Sequence, residues 1–238
     1  MTSPIYESPR CTIYAGDCLG ILPNLPPSDL LVTDPPYGIG FKSNFAKNHK
    51  EIKGDENTDV AIEALKKVVM KSGRHVYVFW SPKIENPDAE ACKFQAWTEL
   101  VWDKGIHGMG GGHCWGGSHE KILFAVKVPS AANRRSGKGK GAARLRRGSI
   151  LRCQRTNSGQ TRGHPTEKPV PLMRELVEAS SRFGETVIDP FAGTGSTLVA
   201  SILEGRKCVG IEINAKFVDE AIRRVRLAEA VANSVENL

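Results

Sequence analysis

Nowhere in the 238 residues is there an apolar run approaching the roughly 18 residues that a membrane-spanning helix requires. The opening stretch Met-Thr-Ser-Pro-Ile-Tyr-Glu also lacks the basic and apolar regions of a secretion signal. The two absences predict a soluble cytoplasmic protein with no membrane partner. The six cysteines, Cys11, Cys18, Cys92, Cys114, Cys153 and Cys208, include no C-x-x-C pair, which disfavours a thiolate metal site or a redox motif. They read as reduced thiols. No internal repeat is visible, and no G-K-[ST] follows a glycine turn, so a phosphate-binding P-loop is disfavoured.

Acidic residues are missing from one long stretch. Between Glu120 and Glu167 there is none, while Lys121, Lys127, Arg134, Arg135, Lys138, Lys140, Arg144, Arg146, Arg147, Arg152, Arg155 and Arg162 supply twelve bases. The other 21 of the 33 bases face all 26 acids, so the net charge of +7 comes entirely from this stretch. Such a footprint fits a polyanion-binding element attached to a mildly acidic core. A solvated linker is the plainer reading of the same composition.

Seven apolar runs of strand length recur: Cys11 to Tyr14, Asp29 to Thr33, His75 to Trp80, Leu100 to Trp102, Ile122 to Val126, Thr186 to Ile188 and Cys208 to Ile211. Several are apolar on both faces, as buried parallel strands require. Helical patterns alternate with them at Val60 to Lys71, Pro171 to Ser181, Ser196 to Glu204 and Ala215 to Ala232. The alternation predicts a doubly wound α/β sheet. Leu100 to Trp102 and Ile122 to Val126 are joined by a Gly-rich loop with no helical pattern, which predicts an antiparallel hairpin at a sheet edge. Residues 128–163 read as an insertion.

In a doubly wound sheet, ligands sit outside the carboxyl ends of the strands. Two clusters fall at such ends. Val187 to Ser196 is a strand, a turn containing Asp189, Phe191, Ala192, Gly193, Thr194 and Gly195, and a helix start at Ser196. The glycines let backbone approach a ligand, and the amides of the helix start face the crevice. Glu212 ends the next strand about 20 residues on, where a carboxylate reaches ribose hydroxyls. Turn and acid together describe an adenosine-containing ligand. The second cluster, Asp34-Pro35-Pro36-Tyr37, is a rigid turn with carbonyl acceptors, a carboxylate and an aromatic face. An exposed amino-heterocycle needs that set: two acceptors for its N–H₂ and a ring to stack on. His107, His113, Cys114 and His119 are irregularly spaced among glycines, and no metal site is expected there.

Asp34-Pro35-Pro36-Tyr37 resembles the catalytic motif of the DNA amino-methyltransferases, and Asp189 to Ser196 resembles their F-x-G-x-G cofactor loop. Gly16-Asp17-Cys18 resembles their short N-terminal motif, and His164-Pro165-Thr166-Glu167-Lys168-Pro169 the motif ahead of the first cofactor helix. The order, catalytic motif first and cofactor loop last, is similar to the β group of the family.

The resemblance implies a mostly parallel seven-stranded sheet of the S-adenosylmethionine-dependent methyltransferase type, in circularly permuted motif order. Residues 1–127 would form the catalytic half, 128–163 the target-recognition insertion and 164–238 the cofactor half. It implies methyl transfer from S-adenosyl-L-methionine to N6 of adenine in double-stranded DNA, with S-adenosyl-L-homocysteine leaving. It assigns Asp17 and Cys18 to the adenine end of the cofactor, Glu212 to the ribose, and Asp189, Phe191 to Ser196 and Lys168 to the methionine end. The DNA contacts expected are Arg134, Arg135, Lys138, Lys140, Arg144, Arg146, Arg147, Arg152 and Arg155. The resemblance also allows a homodimer and a restriction-modification setting. Cytosine N4 is the alternative target, and the family tends to carry Ser at the position of Asp34 in that case. A degenerate DNA-binding protein on the same fold is the alternative from another class.

Overall fold

The computed structural model describes residues 3–36, 58–80, 86–88, 92, 94, 98–105, 117–126, 148–155 and 167–236. Its strands are β1 (Tyr6–Glu7), β2 (Cys11–Ala15), β3 (Ser28–Thr33), β4 (Met70–Trp80), β5 (Thr98–Asp103), β6 (His119–Val126), β7 (Ile150–Arg152), β8 (Thr186–Asp189) and β9 (Lys207–Glu212). The helices are α1 (Cys18–Ile21), α2 (Asp59–Lys67), α3 (Val170–Ser180), α4 (Ser196–Leu203) and α5 (Ala215–Glu236). All nine strands join one sheet in the order β1-β2-β9-β8-β3-β4-β6-β5-β7.

The five central strands β2, β9, β8, β3 and β4 are mutually parallel, so their carboxyl ends share one edge. Strand β6 runs antiparallel to both β4 and β5. The hairpin forms as expected, and its second strand, β6, lies inside the sheet.

Two strands exceed the seven expected, one at each edge. β1 folds back antiparallel on β2, with Tyr6 opposite Ile13. β7 runs parallel to β5, with Val101 opposite Ile150, and the Trp102 indole N–H donates to the Cys153 carbonyl at 2.7 Å. Part of the stretch 128–163 read as an insertion is therefore an edge strand of the core. Leu151, its one large apolar side chain facing inward, is buried. A three-residue strand gives too short a pattern to register in a sequence dominated by Arg, Lys and Gly.

Side chains alternate across the sheet. Leu31, Val76, Val78 and Trp80 pack with Ile21 of α1 and Leu65 of α2. Leu30, Val32, Tyr77 and Phe79 point the other way, onto Leu172, Met173 and Leu176 of α3. Ile13 and Cys208 pack with Leu198 of α4 and Val218, Ala221 and Val225 of α5. Helices thus cover both faces, the arrangement that continuous apolar strands demand. Helix α2 stops at Lys67 rather than continuing to Lys71. Val68 leaves the helical region at ψ 123°, and the Val69 carbonyl accepts from Ser28 N, which starts the pairing of β4 with β3. The β-branched pair Val68-Val69 favours the strand side of that boundary.

One buried polar cluster makes the fold pH-sensitive. The His75 ring nitrogen Nδ1 lies 2.6 Å from the Ser180 hydroxyl, which also pairs with the Tyr77 hydroxyl at 2.5 Å. Burial, with the Arg74 charge adding to it, pushes the His75 pKa down to about 4. The unfolded chain binds the imidazole proton from about pH 6.5 downward. Between about 6.5 and 4 it therefore holds more protons than the folded chain, and His75 makes stability fall as pH falls through that window. Urea unfolding at pH 7.5 and pH 5 is expected to show a smaller pH-dependent loss in His75→Gln than in the parent. An equal loss in both would remove His75 from the account.

Candidate active site

The carboxyl edge of the parallel strands is where the unusual residues gather. Strand β3 ends at Thr33, and Asp34, Pro35 and Pro36 follow. Strand β8 ends at Asp189, which is buried and has both oxygens engaged. Oδ1 accepts from the Thr33 hydroxyl at 2.7 Å and from Phe191 N at 3.1 Å, and Oδ2 accepts from the Thr197 hydroxyl at 2.6 Å. One carboxylate thus holds the strand before Asp34, the turn after β8 and the first turn of α4. Its burial raises the carboxyl to about pKa 6, with the Thr197, Thr33 and Phe191 donors acting downward.

The turn itself is glycine-dependent at two positions. Gly193 has φ 52° and Gly195 φ 85°, both left-handed. A Cβ at Gly195 would also stand 3.1 Å from Ala221 Cβ, so this glycine lets α4 start against α5. Glu212, at the end of β9, accepts from Gly193 N at 2.8 Å and from Asn214 N at 2.7 Å. Burial raises its pKa against those backbone hydrogen bonds. Asp17 caps α1 by accepting from Leu19 N at 2.9 Å. Burial, followed by the neighbouring Asp17 charge, pushes the Cys18 thiol up to about 12, so it is a neutral wall group.

These residues surround one cavity of about 350 Å³, whose walls include Asp17, Glu212 and Gly193 as well as Asp34, Pro36 and Lys168. The turn that begins at Asp34 and the glycine turn that follows Asp189, 155 residues apart in the chain, open on the same space. Lys168 lies just before α3 and is 6% exposed. Its ammonium donates to Asp34 Oδ2 at 2.5 Å, lies 3.4 Å from Glu120 Oε2 and sits 5.1 Å above the Phe79 ring. Burial alone would lower the lysine pKa, and the Asp34 and Glu120 carboxylates overturn this and raise it. Burial likewise works against the Glu120 charge, but Lys168 and Lys104 hold its pKa below the ordinary value.

A family model described as DNA methylase, of the N6/N4 class, matches residues 28–223. The chain belongs to that family. Among its relatives, the DNA adenine methyltransferase YhdJ of Escherichia coli (strain K12) is 28% identical, over 91% of this methylase and 83% of the relative. The type II methyltransferase M.ScaI of Streptomyces caespitosus is 26% identical, over 98% of this chain and 86% of its own. In structure, the methylase is similar to the M1.HpyAVI–SAM complex at TM-score 0.68 and 21% identity, covering 90% of this chain and 98% of that one. It is similar to the cytosine-N4-specific PvuII DNA methyltransferase at TM-score 0.67 and 15% identity, over 99% and 96% of the two chains. At those identities the structural likenesses bear on the fold.

Of the residues expected to be catalytic, Asp34 and Pro36 line the cavity, Pro35 lies between them in the chain, and Tyr37 lies outside the described residues. Asp17, Cys18, Lys168, Asp189, Phe191, Ala192, Gly193, Thr194, Ser196 and Glu212 all line the cavity. Gly195 does not, and serves the packing of α4 on α5. Two of these residues also have partners within the protein. Asp189 spends both oxygens on protein donors, so it holds the site together. Lys168, expected beside the cofactor, is bonded to Asp34. Among the expected DNA contacts, Arg134, Arg135, Lys138, Lys140, Arg144, Arg146 and Arg147 lie outside the described residues. Arg152 ends β7 with an exposed side chain 3.7 Å from Asp103, and Arg155 is exposed.

Sequence reasoning missed a second layer. Glu167 accepts from the Thr194 hydroxyl at 2.9 Å and pairs with Arg224 of α5 at 3.1 Å. Arg224 also donates to the Thr194 carbonyl at 3.0 Å, fastening the glycine turn from behind. Glu120 and Lys104 were missed as well. Strand β6 is antiparallel, so its first residues, not its last, reach the carboxyl edge of the sheet. The expected hairpin carried that signal.

Proposed function

We propose that this methylase transfers the methyl group of S-adenosylmethionine to N6 of adenine in duplex DNA. The observation that carries the reading is the single cavity onto which the Asp34-Pro35-Pro36 turn and the Gly193 turn both open. Its volume of about 350 Å³ lies within the range of small-molecule sites. The donor set fits the ligand: the Glu212 carboxylate is oriented by the backbone amides of Gly193 and Asn214 and has acceptor capacity left for a ribose hydroxyl. Asp17 is assigned to the adenine amine, and the backbone from Phe191 to Ser196 to the methionine end. When bound, S-adenosylmethionine supplies a methyl group already activated by a positive sulfur.

The protein's task is then orientation and electrostatics. A base inside a duplex cannot reach this cavity, so the target adenine is flipped out and stacked on Tyr37. Its amino group donates one hydrogen to the Asp34 carboxylate and the other to the Pro35 carbonyl. Both bonds favour a pyramidal nitrogen, whose lone pair is freed from the ring, and stabilise the positive charge that develops there. The nitrogen gains the methyl and loses one proton, to Asp34 or to water. Neutral Cys18 contributes wall, and Asp189 keeps Thr33, and hence Asp34, in register with the glycine turn. The twelve bases between Glu120 and Glu167 support a duplex partner held through its phosphates.

Asp34 favours adenine, and the relationship to the adenine methyltransferase YhdJ supports that choice. Mass spectrometry of nucleosides from unmethylated DNA incubated with the protein and S-adenosylmethionine tests it. N6-methyladenine is expected. N4-methylcytosine would overturn the choice of base and keep the chemistry. Unmodified DNA would overturn the reaction.

A further inference from the structure

A row of alternating charges runs beside Asp34: Lys104, Glu120, Lys168 and Asp34. Lys104 Nζ is 2.9 Å from Glu120 Oε1, Glu120 Oε2 is 3.4 Å from Lys168 Nζ, and Lys168 Nζ is 2.5 Å from Asp34 Oδ2. Two of these contacts are hydrogen-bond length and the middle one is not. Among the described residues, Glu120 Oε2 is buried and accepts no hydrogen bond. An ionised, buried carboxylate oxygen held only by a long ion pair to Lys168 is under-satisfied, and native proteins seldom keep one without a use. Glu120 sits at the second residue of β6, opposite Trp102 of β5.

The reaction creates a use. Asp34 Oδ2 receives the Lys168 ammonium, and the same carboxylate must accept a hydrogen from the target amino group and stabilise positive charge on it. A cation 2.5 Å away opposes both roles. Among the described residues, Lys168 has one other carboxylate within reach. Moving its ammonium by ~0.5 Å toward Glu120 Oε2 brings that contact into the ordinary N–H···O range. Phe79 lies under the ammonium throughout, so a short swing keeps the cation–π contact. Lys104 holds the far oxygen of Glu120 and fixes the direction in which Oε2 points.

We propose that Glu120 is a positioning residue for methyl transfer, a second seat for the Lys168 ammonium that draws it off Asp34 when the target base engages. The inference rests on the methyl-transfer reading of the site. No covalent bond changes in the step: one ion pair loosens, another tightens, and the total charge of the row is constant.

Glu120→Gln keeps the shape and removes the charge that attracts Lys168. In full-length protein with duplex DNA and radiolabelled methyl donor, kcat is expected to fall between about ten- and a hundredfold, the scale of an ångström-level misplacement at a reacting centre. The melting temperature should fall, because Lys104 loses its carboxylate, but at an assay temperature where the variant is folded the Kd for S-adenosylmethionine should stay near the parent value, and Glu120→Asp should recover part of kcat. The decisive readout is a double-mutant cycle. Because Glu120 acts through Lys168, Glu120→Gln should cause no further loss in a Lys168→Gln background. Unchanged kcat in Glu120→Gln, or additive losses in the cycle, would overturn the proposal while leaving the reaction intact. A parent protein that labels no DNA would bring down both.

Discussion

Alanine at position 34 is expected to lower kcat for methyl transfer by at least about two to three orders of magnitude, the loss typical of removing one preorganised charge-stabilising group. Asp34 and Pro36 line the cavity shared with Glu212 and Gly193, and in the proposed reaction the carboxylate stands beside the nitrogen that takes the methyl group. Without it the amino group loses one of its two acceptors, and its lone pair stays conjugated with the ring. Affinity for S-adenosylmethionine should change only a few fold, because Asp17, Glu212 and the glycine turn are held by bonds that do not involve Asp34. Lys168 keeps Glu120 as a partner, so the buried ammonium is not stranded. Asparagine at the same position should fall between alanine and the parent, since it retains an acceptor oxygen without the charge. Single-turnover labelling at saturating DNA and donor, with calorimetry for donor binding, separates these effects. Activity within tenfold of the parent in Asp34→Ala would remove Asp34 from the chemistry.

The largest effect on stability is expected at the opposite edge of the sheet. Asp29 of β3 is buried and accepts from Arg74 at 2.6 Å, from Lys71 at 2.9 Å and from Thr186 N at 3.0 Å. It therefore ties β4, β3 and β8 together at their amino ends. The Arg74 side chain, 9% exposed, also pairs with Glu185. Removing Asp29 leaves much of a buried guanidinium's charge uncompensated, and breaking such a pair costs about 3–5 kcal/mol. Asp29→Ala should therefore unfold in urea at a much lower midpoint, while its folded fraction binds the methyl donor normally. A loss below about 1 kcal/mol would show that Glu185 alone satisfies Arg74. The pH dependence has a definite sign. Burial works to raise the Asp29 pKa, but its Lys71, Thr186 and Arg74 partners win and lower it. Its contribution is present above the ordinary carboxylate range and is lost as pH falls through the lowered value.

The sheet was legible because strands apolar on both faces are distinctive, and Leu30, Leu31 and Val32 or Val76 to Trp80 leave few alternatives. The motifs were legible because local geometry dictates them: only glycine takes φ 85° at position 195 without strain, and Pro35-Pro36 can only be a rigid turn. What escaped was set by contacts between distant segments. Asp189 and Thr33 are 156 positions apart, and Arg224 and Thr194 are 30 apart, so no window along the chain contains either pair. Lys168 lines the cavity, but its bond to Asp34 depends on how α3 lies against β4. Strand β7 was hidden because three residues suffice to extend an edge that Trp102 and Val101 already offer.

The order of the strands also governs how the chain can assemble as it is made. Strands β3, β4, β6, β5 and β7 are contiguous in the sheet and can pair as they appear, while β1 and β2 stand apart from them across β8 and β9. Cys11 of β2 must wait for its partner Cys208, 197 residues later. At translation rates of about 5–20 residues per second, that wait is on the order of ten to forty seconds. Throughout it the first hairpin is a two-stranded ribbon without a sheet, too small to persist alone. Strands β8 and β9, made after the other described strands, therefore join the two parts of the sheet, and the cavity comes into being only with them.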